Sequence, residues 1–154
     1  GLRIGVVALL AEIPYNLAMQ GEWFTRNSQN PVWGVLIGFI ILCFFKYSDK
    51  LSKTAAILIK IVVVIAGILW SGMLNISYGT GFVILVVIFW CFKERKVLSM
   101  VLSSVASILY FPAPLGSIMI YFYNKKKGKD SRMIFYILYP VVLLVFGLIG
   151  KYWM

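Results

Sequence analysis

Glu12 is the one acidic residue set inside an apolar run of this sequence. A carboxylate at that depth is costly, and an ionisable group within a membrane segment points by default to function. Tyr15 and Asn16 follow it at i+3 and i+4, so on a helix the three share one face. Pro14 between them frees a carbonyl one turn back and opens a polar notch. Such a notch suits proton transfer or hydrogen bonding to a substrate. The structural alternative is a protonated or hydrogen-bonded Glu12 that fixes helix packing.

Two basic features stand beside it. Lys60 lies about two turns inside the third apolar run, from where its stem can snorkel to the nearer membrane face. An ion pair with Glu12 is the other option. Tyr123-Asn124-Lys125-Lys126-Lys127-Gly128-Lys129 is a compact cationic loop, suited to anionic lipid heads or a phosphorylated cofactor, or serving only as a topology signal. Histidine is absent from all 154 residues, which removes the commonest general base and zinc ligand. Cys43 and Cys91 sit at the ends of apolar runs beside Lys46 and Lys93. Two such cysteines cannot form a metal site alone, and on a reducing face they stay unpaired. No phosphate-cradling glycine loop, dinucleotide fingerprint, zinc motif or nucleophile elbow occurs.

The elements that must position these groups are membrane helices. Hydrophobic residues make up 62% of the chain and charged residues only 13%, with a mean hydropathy of +0.93. A soluble domain carries roughly 45–50% apolar and about 25% charged residues. There is too little polar surface here to clothe a water-soluble globule. The excess of fifteen Lys and Arg over five Asp and Glu lies in short gaps between apolar runs. There it reads as membrane topology and not as a nucleic-acid surface.

The apolar runs are Leu2–Met19, Pro31–Phe45, Thr54–Met73, Gly79–Phe92, Val97–Tyr123 and Met133–Gly150. They are continuous and not alternating, so they predict helices and exclude a barrel. Several fall short of the roughly 20 residues that a simple span needs, which implies tilt, thinning or burial in a bundle. The gaps around Lys46–Lys53, Lys93–Lys96 and Lys125–Arg132 are basic, while Gln20–Asn30 and Leu74–Tyr78 are neutral. The positive-inside rule places the basic gaps in the cytoplasm. Val97–Tyr123 must then leave and return within 27 residues. Pro112-Ala-Pro114 is the natural turn, dividing it into Val97–Phe111 and Leu115–Tyr123. The rival, one kinked span, would put the strongest basic gap outside. The expectation is an all-α, polytopic transmembrane bundle of six to seven helices with one short Pro-broken hairpin. It forms a single membrane domain over residues 1–154, read as part of a longer chain because the first residue is Gly1.

Four stretches, in order, resemble the TraX family. Ala11-Glu12-Ile13-Pro14-Tyr15-Asn16-Leu17-Ala18 resembles its Ser-Glu-Ile-Pro-Phe-Asp-Leu-Ala segment, and Asn75-Ile76-Ser77-Tyr78-Gly79 its Asp-Tyr-Gly turn. Tyr123-Asn124-Lys125-Lys126-Lys127-Gly128 is similar to Tyr-Asn-Gly-Lys-Arg-Gly. Phe135-Tyr136-Ile137-Leu138-Tyr139-Pro140-Val141-Val142 is similar to Phe-Tyr-x-Phe-Tyr-Pro-x-His. The resemblance runs from Leu2 to Gly150, with the family's opening helices and their Asp-His-Ile motif expected before Gly1.

The resemblance implies a multi-pass protein of the bacterial inner membrane, similar to membrane acyltransferases, whose named member acetylates the amino terminus of conjugative pilin. It implies acetyl-coenzyme A as donor, held by Asn124, Lys125, Lys126, Lys127 and Gly128. Glu12, Asn16, Tyr78 and Tyr139 fall to the catalytic centre, and a pilin or other envelope acceptor is the partner beside the bilayer. Asn16 and Ser77 stand where the family has Asp, and Val142 where it has His. Asn and Ser hydrogen-bond without acting as carboxylate bases, and Val does neither. Two other readings remain open: a catalytically degenerate accessory or scaffold subunit of a conjugation or secretion system, and a small transporter using Glu12 and Lys60.

Overall fold

The computed structural model describes residues 1–108, 113–122 and 132–153. Seven helices follow in order: α1 Leu2–Gln20, α2 Val32–Ser48, α3 Lys53–Met73, α4 Gly79–Cys91, α5 Lys96–Ala106, α6 Ala113–Phe122 and α7 Arg132–Trp153. Among the described residues there is no strand, only one parallel bridge between Gln29 and Ile76. Three helices carry stretches long and apolar enough to cross a membrane: Leu2–Gln20, Lys53–Met73 and Tyr136–Trp153. The expected all-α membrane bundle is the observed architecture.

Its packing is that of a bundle in lipid. The apolar side chains mostly face outward: Leu9, Val62, Leu69 and Phe146 are each more than half exposed. Small and polar residues fill much of the interior, among them Asn16, Asn30, Ser48, Ser71 and Ser103. Helices in lipid gain nothing from hiding leucine from their surroundings, so close packing of small residues and interhelical hydrogen bonds hold them together. A compact apolar core does exist where α2, α3 and α4 meet, with Ile41, Phe45 and Val83 buried against Ile37, Val63 and Val86.

The first and last helices pack along each other. A Cβ on Gly147 would lie 2.8 Å from the Ala18 amide nitrogen and 3.0 Å from the Leu17 carbonyl carbon, so glycine lets the two backbones meet there. One turn on, the Lys151 ammonium sits 5.2 Å from the centroid of the Trp23 ring, just beyond the end of α1. These contacts make α1 and α7 parallel. Parallel packing puts the Arg132 end of α7 beside the Gly1 end of α1, the end shared with the basic turns after α2 and α4.

That parity requires α5 and α6 to form a hairpin, and the two helices do pack on one another. The kinked single span is excluded. The first arm stops at Ala106, short of the expected Phe111. The Ser107 hydroxyl donates to the Ser103 carbonyl at 2.7 Å and also lies 3.4 Å from that of Ser104. Serine side chains that compete for backbone carbonyls weaken helix continuation. Pro112 lies outside the described residues, whereas Pro114 sits in the first turn of α6, where its missing donor costs nothing.

Candidate functional site

Helix α1 carries Glu12, Tyr15 and Asn16 along its inner face, and the helix runs through Pro14 unbroken. Each of the three has a different environment. The Trp33 indole N–H donates to Glu12 Oε2 at 2.9 Å, while Glu12 Oε1 is buried with no partner among the described residues. The Tyr15 and Ser77 hydroxyls are hydrogen-bonded at 2.6 Å, and Ser77 is bonded in turn to the Ser28 hydroxyl. Asn16 is buried to 2% exposure, and its Oδ1 has no partner among the described residues.

The loop between α1 and α2 supplies the floor. Asn30 is fully buried. Its Nδ2 donates to the Ala8 carbonyl at 3.4 Å, and its Oδ1 accepts from the Val32 amide and the Tyr139 hydroxyl, both at 3.0 Å. Ala8 lies twelve residues before the end of α1, or about 18 Å along its axis. The chain therefore turns back into the bundle after Gln20 and starts α2 at depth. Irregular backbone at membrane depth is viable only where protein buries it or a cavity borders it, and both conditions hold here. The same fold-back explains why α2 is short.

A second turn closes the site. Gln29 N–H donates to the Asn75 carbonyl at 2.9 Å, Ser77 N–H to the Gln29 carbonyl at 3.0 Å, and Asn75 Nδ2 to the Asn27 carbonyl at 2.6 Å. Asn75 and Tyr78 take left-handed backbone angles, φ 54° and 59°, to make this tight passage from α3 into α4. Above the two joined loops opens a cleft of about 740 Å³. Its lining includes Glu12, Thr25, Arg26, Gln29, Leu74 and Asn75.

Three of the four motif stretches thus converge. Tyr15 on α1 bonds Ser77 of the second turn, and Tyr139 on α7, bonded to Asn30, is in electrostatic reach of both Tyr15 and Glu12. Tyr78 caps α4 with its side chain 57% exposed, so the adjacent Ser77 is the residue of that turn which meets α1. Val142 is 40% exposed on α7, pointing away from any role in this network. Asn124, Lys125, Lys126, Lys127 and Gly128 lie outside the described residues.

Lys60 does not pair with Glu12. Its ammonium bonds Asp49 at 2.6 Å and lies 5.7 Å from the Phe45 ring centroid, at the opposite end of the bundle. Antiparallel packing of α2 on α3 puts Lys60 level with the α2 C-terminus, so snorkelling to Asp49 is the shorter reach. Cys43 and Cys91 are free and exposed.

Asn30, Trp33 and Ser28 complete the site without any motif to announce them. The signal for Asn30 is the Asn-Pro dipeptide ahead of α2, since Asn before Pro favours a turn in which its side chain accepts from the amide two residues on, as it does from Val32. Trp33 carries an indole donor that needs a partner when buried, but sequence does not say which.

A family profile described as TraX protein matches residues 2–150. No curated protein and no solved structure matches the chain.

Proposed function

The chain belongs to the TraX family, and from that premise we propose that it is an acyltransferase-type protein of the bacterial inner membrane, crossing it several times. The acyl group passes from acetyl-coenzyme A to an amine or hydroxyl of an envelope acceptor such as a pilin. The observation that carries this reading is the Glu12 carboxylate. One oxygen is fixed by Trp33, and the other has no partner among the described residues, in a side chain that lines the cleft.

The cleft suits the acceptor. Its lining sets the Glu12 carboxylate and the Arg26 guanidinium among Thr25, Gln29 and Asn75 and beside the apolar Phe24, Met73 and Leu74, a poor match for a pyrophosphate and a better one for an ammonium or hydroxyl on an apolar stem. Acetyl-coenzyme A would supply an activated thioester, and the residues proposed to hold it are Asn124, Lys125, Lys126, Lys127 and Gly128. In this reading the Glu12 carboxylate takes the acceptor's N–H or O–H proton as the new bond to the acyl carbon forms, the thioester C–S bond breaks, and the proton passes to the departing coenzyme A thiolate. Tyr139 and Asn30 hold the floor beneath that carboxylate, while Thr25, Gln29 and Asn75 supply the polar wall. The histidine expected by resemblance has no counterpart among these residues, so the reading rests the proton transfer on Glu12.

The test is acetyl-coenzyme A binding and acetyl transfer by the full-length protein, with Lys125–Lys127 changed to alanine in one variant and Glu12→Gln in another. Saturable binding lost in the first variant, and transfer lost with binding retained in the second, support the reading. No binding by a folded, monodisperse sample refutes it. That result turns the assignment to an accessory subunit, which fits the Asn16, Ser77 and Val142 substitutions.

A further inference from the structure

A groove of about 340 Å³ runs between α2 and α3 on the outside of the bundle. Ile37, Ile41 and Phe44 line one side and Val63, Gly67 and Trp70 the other. It is apolar throughout, and Gly67 keeps it deep, because a Cβ there would meet Ile41 Cδ1 at 2.7 Å. Along α3, Lys60, Val63, Gly67 and Trp70 recur at spacings of three, four and three, one continuous stripe. The stripe therefore begins in a cation and continues as the groove.

The cation stands at a membrane interface. Phe45 meets Trp90 edge to face at 5.7 Å, with the Lys60 ammonium 5.7 Å from the first ring centroid and the Lys93 ammonium 4.9 Å from the second. Aromatic rings and lysines gather where hydrocarbon gives way to headgroups. Lys46, Lys50 and Lys53 surround the same turn, and its one acid, Asp49, is already engaged by Lys60. Asp49 takes one N–H of the Lys60 ammonium, which has three to give. From Val62 to Trp70 the groove extends eight residues below this belt, about 12 Å, close to the depth of one leaflet of a roughly 30 Å core.

We propose that this groove and its lysine rim form a binding site for one anionic glycerophospholipid of the cytoplasmic leaflet, phosphate on the Lys60 rim and one acyl chain along Val63 and Gly67. The site rests on the membrane orientation given above and is independent of acyl transfer. An apolar groove alone would accept any lipid; the cations select a net negative headgroup.

Native mass spectrometry of the full-length protein in mild detergent tests this, with phosphatidylglycerol or phosphatidylcholine of identical chains added. Phosphatidylglycerol should be retained about fivefold better. Lys60→Gln should abolish that preference, Lys60→Arg should restore it, and Ala66→Trp, which fills the groove, should displace both lipids. Equal retention of the two lipids by the native protein, or an unchanged preference in Lys60→Gln, overturns the proposal. A change of oligomeric state with Ala66→Trp also overturns it, since the groove would then hold a second copy. If Ala66→Trp fails to fold, the Lys60 pair decides.

Discussion

The hydroxyl of Tyr15 on α1 lies 2.6 Å from that of Ser77 in the turn before α4, across 62 residues of sequence. This bond joins the two motif stretches that make up the walls of the cleft, and Ser28 extends it into the intervening loop. Ser77 stands where the family resemblance expects Asp. A hydroxyl there keeps the bond as donor or acceptor but brings no charge into the bundle, which suits a site whose carboxylate is Glu12.

Tyr15→Phe and Ser77→Ala should each lower stability by about 0.6–1.7 kcal/mol, the range found for hydrogen bonds between membrane helices. The double variant should lose less than the sum, because both changes remove one shared bond. Denaturant titration of the purified protein in mixed micelles measures all three. Strict additivity would show that the bond contributes nothing.

Trp33→Phe keeps an aromatic ring but removes the donor to Glu12 Oε2. Hydrogen bonds to a carboxylate contribute about 1.5–3 kcal/mol, so on the function proposed above acetyl transfer should fall about tenfold or more. Acetyl-coenzyme A affinity should be unchanged. An equal fall in both would mean that Trp33 supports the whole fold and not the orientation of Glu12.

Asn30→Ala removes the side-chain partner of the Ala8 carbonyl, the Val32 amide and the Tyr139 hydroxyl together. Leaving buried groups unsatisfied costs about 1–3 kcal/mol, and Tyr139→Phe, which deletes one bond, should cost less than Asn30→Ala. Thermal unfolding ranks the two. Equal midpoints would place the stabilisation elsewhere.

Gly147→Ala forces a methyl to within 3.0 Å of α1 backbone atoms that cannot rotate aside. Overpacking of this kind costs about 1–3 kcal/mol. Gly150→Ala, with open space around it, is the matched control. Comparable unfolding midpoints for the two variants would contradict the close approach of α1 and α7.

Orientation can be read by labelling single cysteines in a Cys43→Ser, Cys91→Ser background. Asn27→Cys should react with an impermeant maleimide on intact cells. Lys50→Cys and Glu94→Cys should react only after lysis. Any other pattern reverses the cytoplasmic assignment of the basic turns.

Helix type and number are legible in the sequence because lipid tolerates few structures, and continuous apolar runs separated by charge mark their ends. The face shared by Glu12, Tyr15 and Asn16 is legible for the same reason: helical spacing is local. The hairpin follows from charge parity, although the end of α5 does not, since it depends on how Ser107 chooses between its own backbone and the helix. The fold-back of the first loop was hidden. Residues 21–31 look like an ordinary polar connection, and only the packing of α1, α2 and α7 together draws Asn30 to the floor of the bundle. Lys60 is the instructive ambiguity: a lone cation and a lone acid in one membrane invite pairing, yet helix direction puts them at opposite ends.

The bonds that join Gln29 to Asn75 and Ser77 fasten the re-entrant loop to a neighbouring turn by its backbone. A loop riveted in this way is a fixed rim and not a flap. On the function proposed above, an acceptor would enter a mouth of fixed shape, and discrimination among acceptors would rest on steric admission at the rim. Extra residues are tolerable between Gly21 and Arg26, ahead of the rivets. Beyond them, a single inserted residue would slide Asn30 off its three partners and uncouple α2 from the rest.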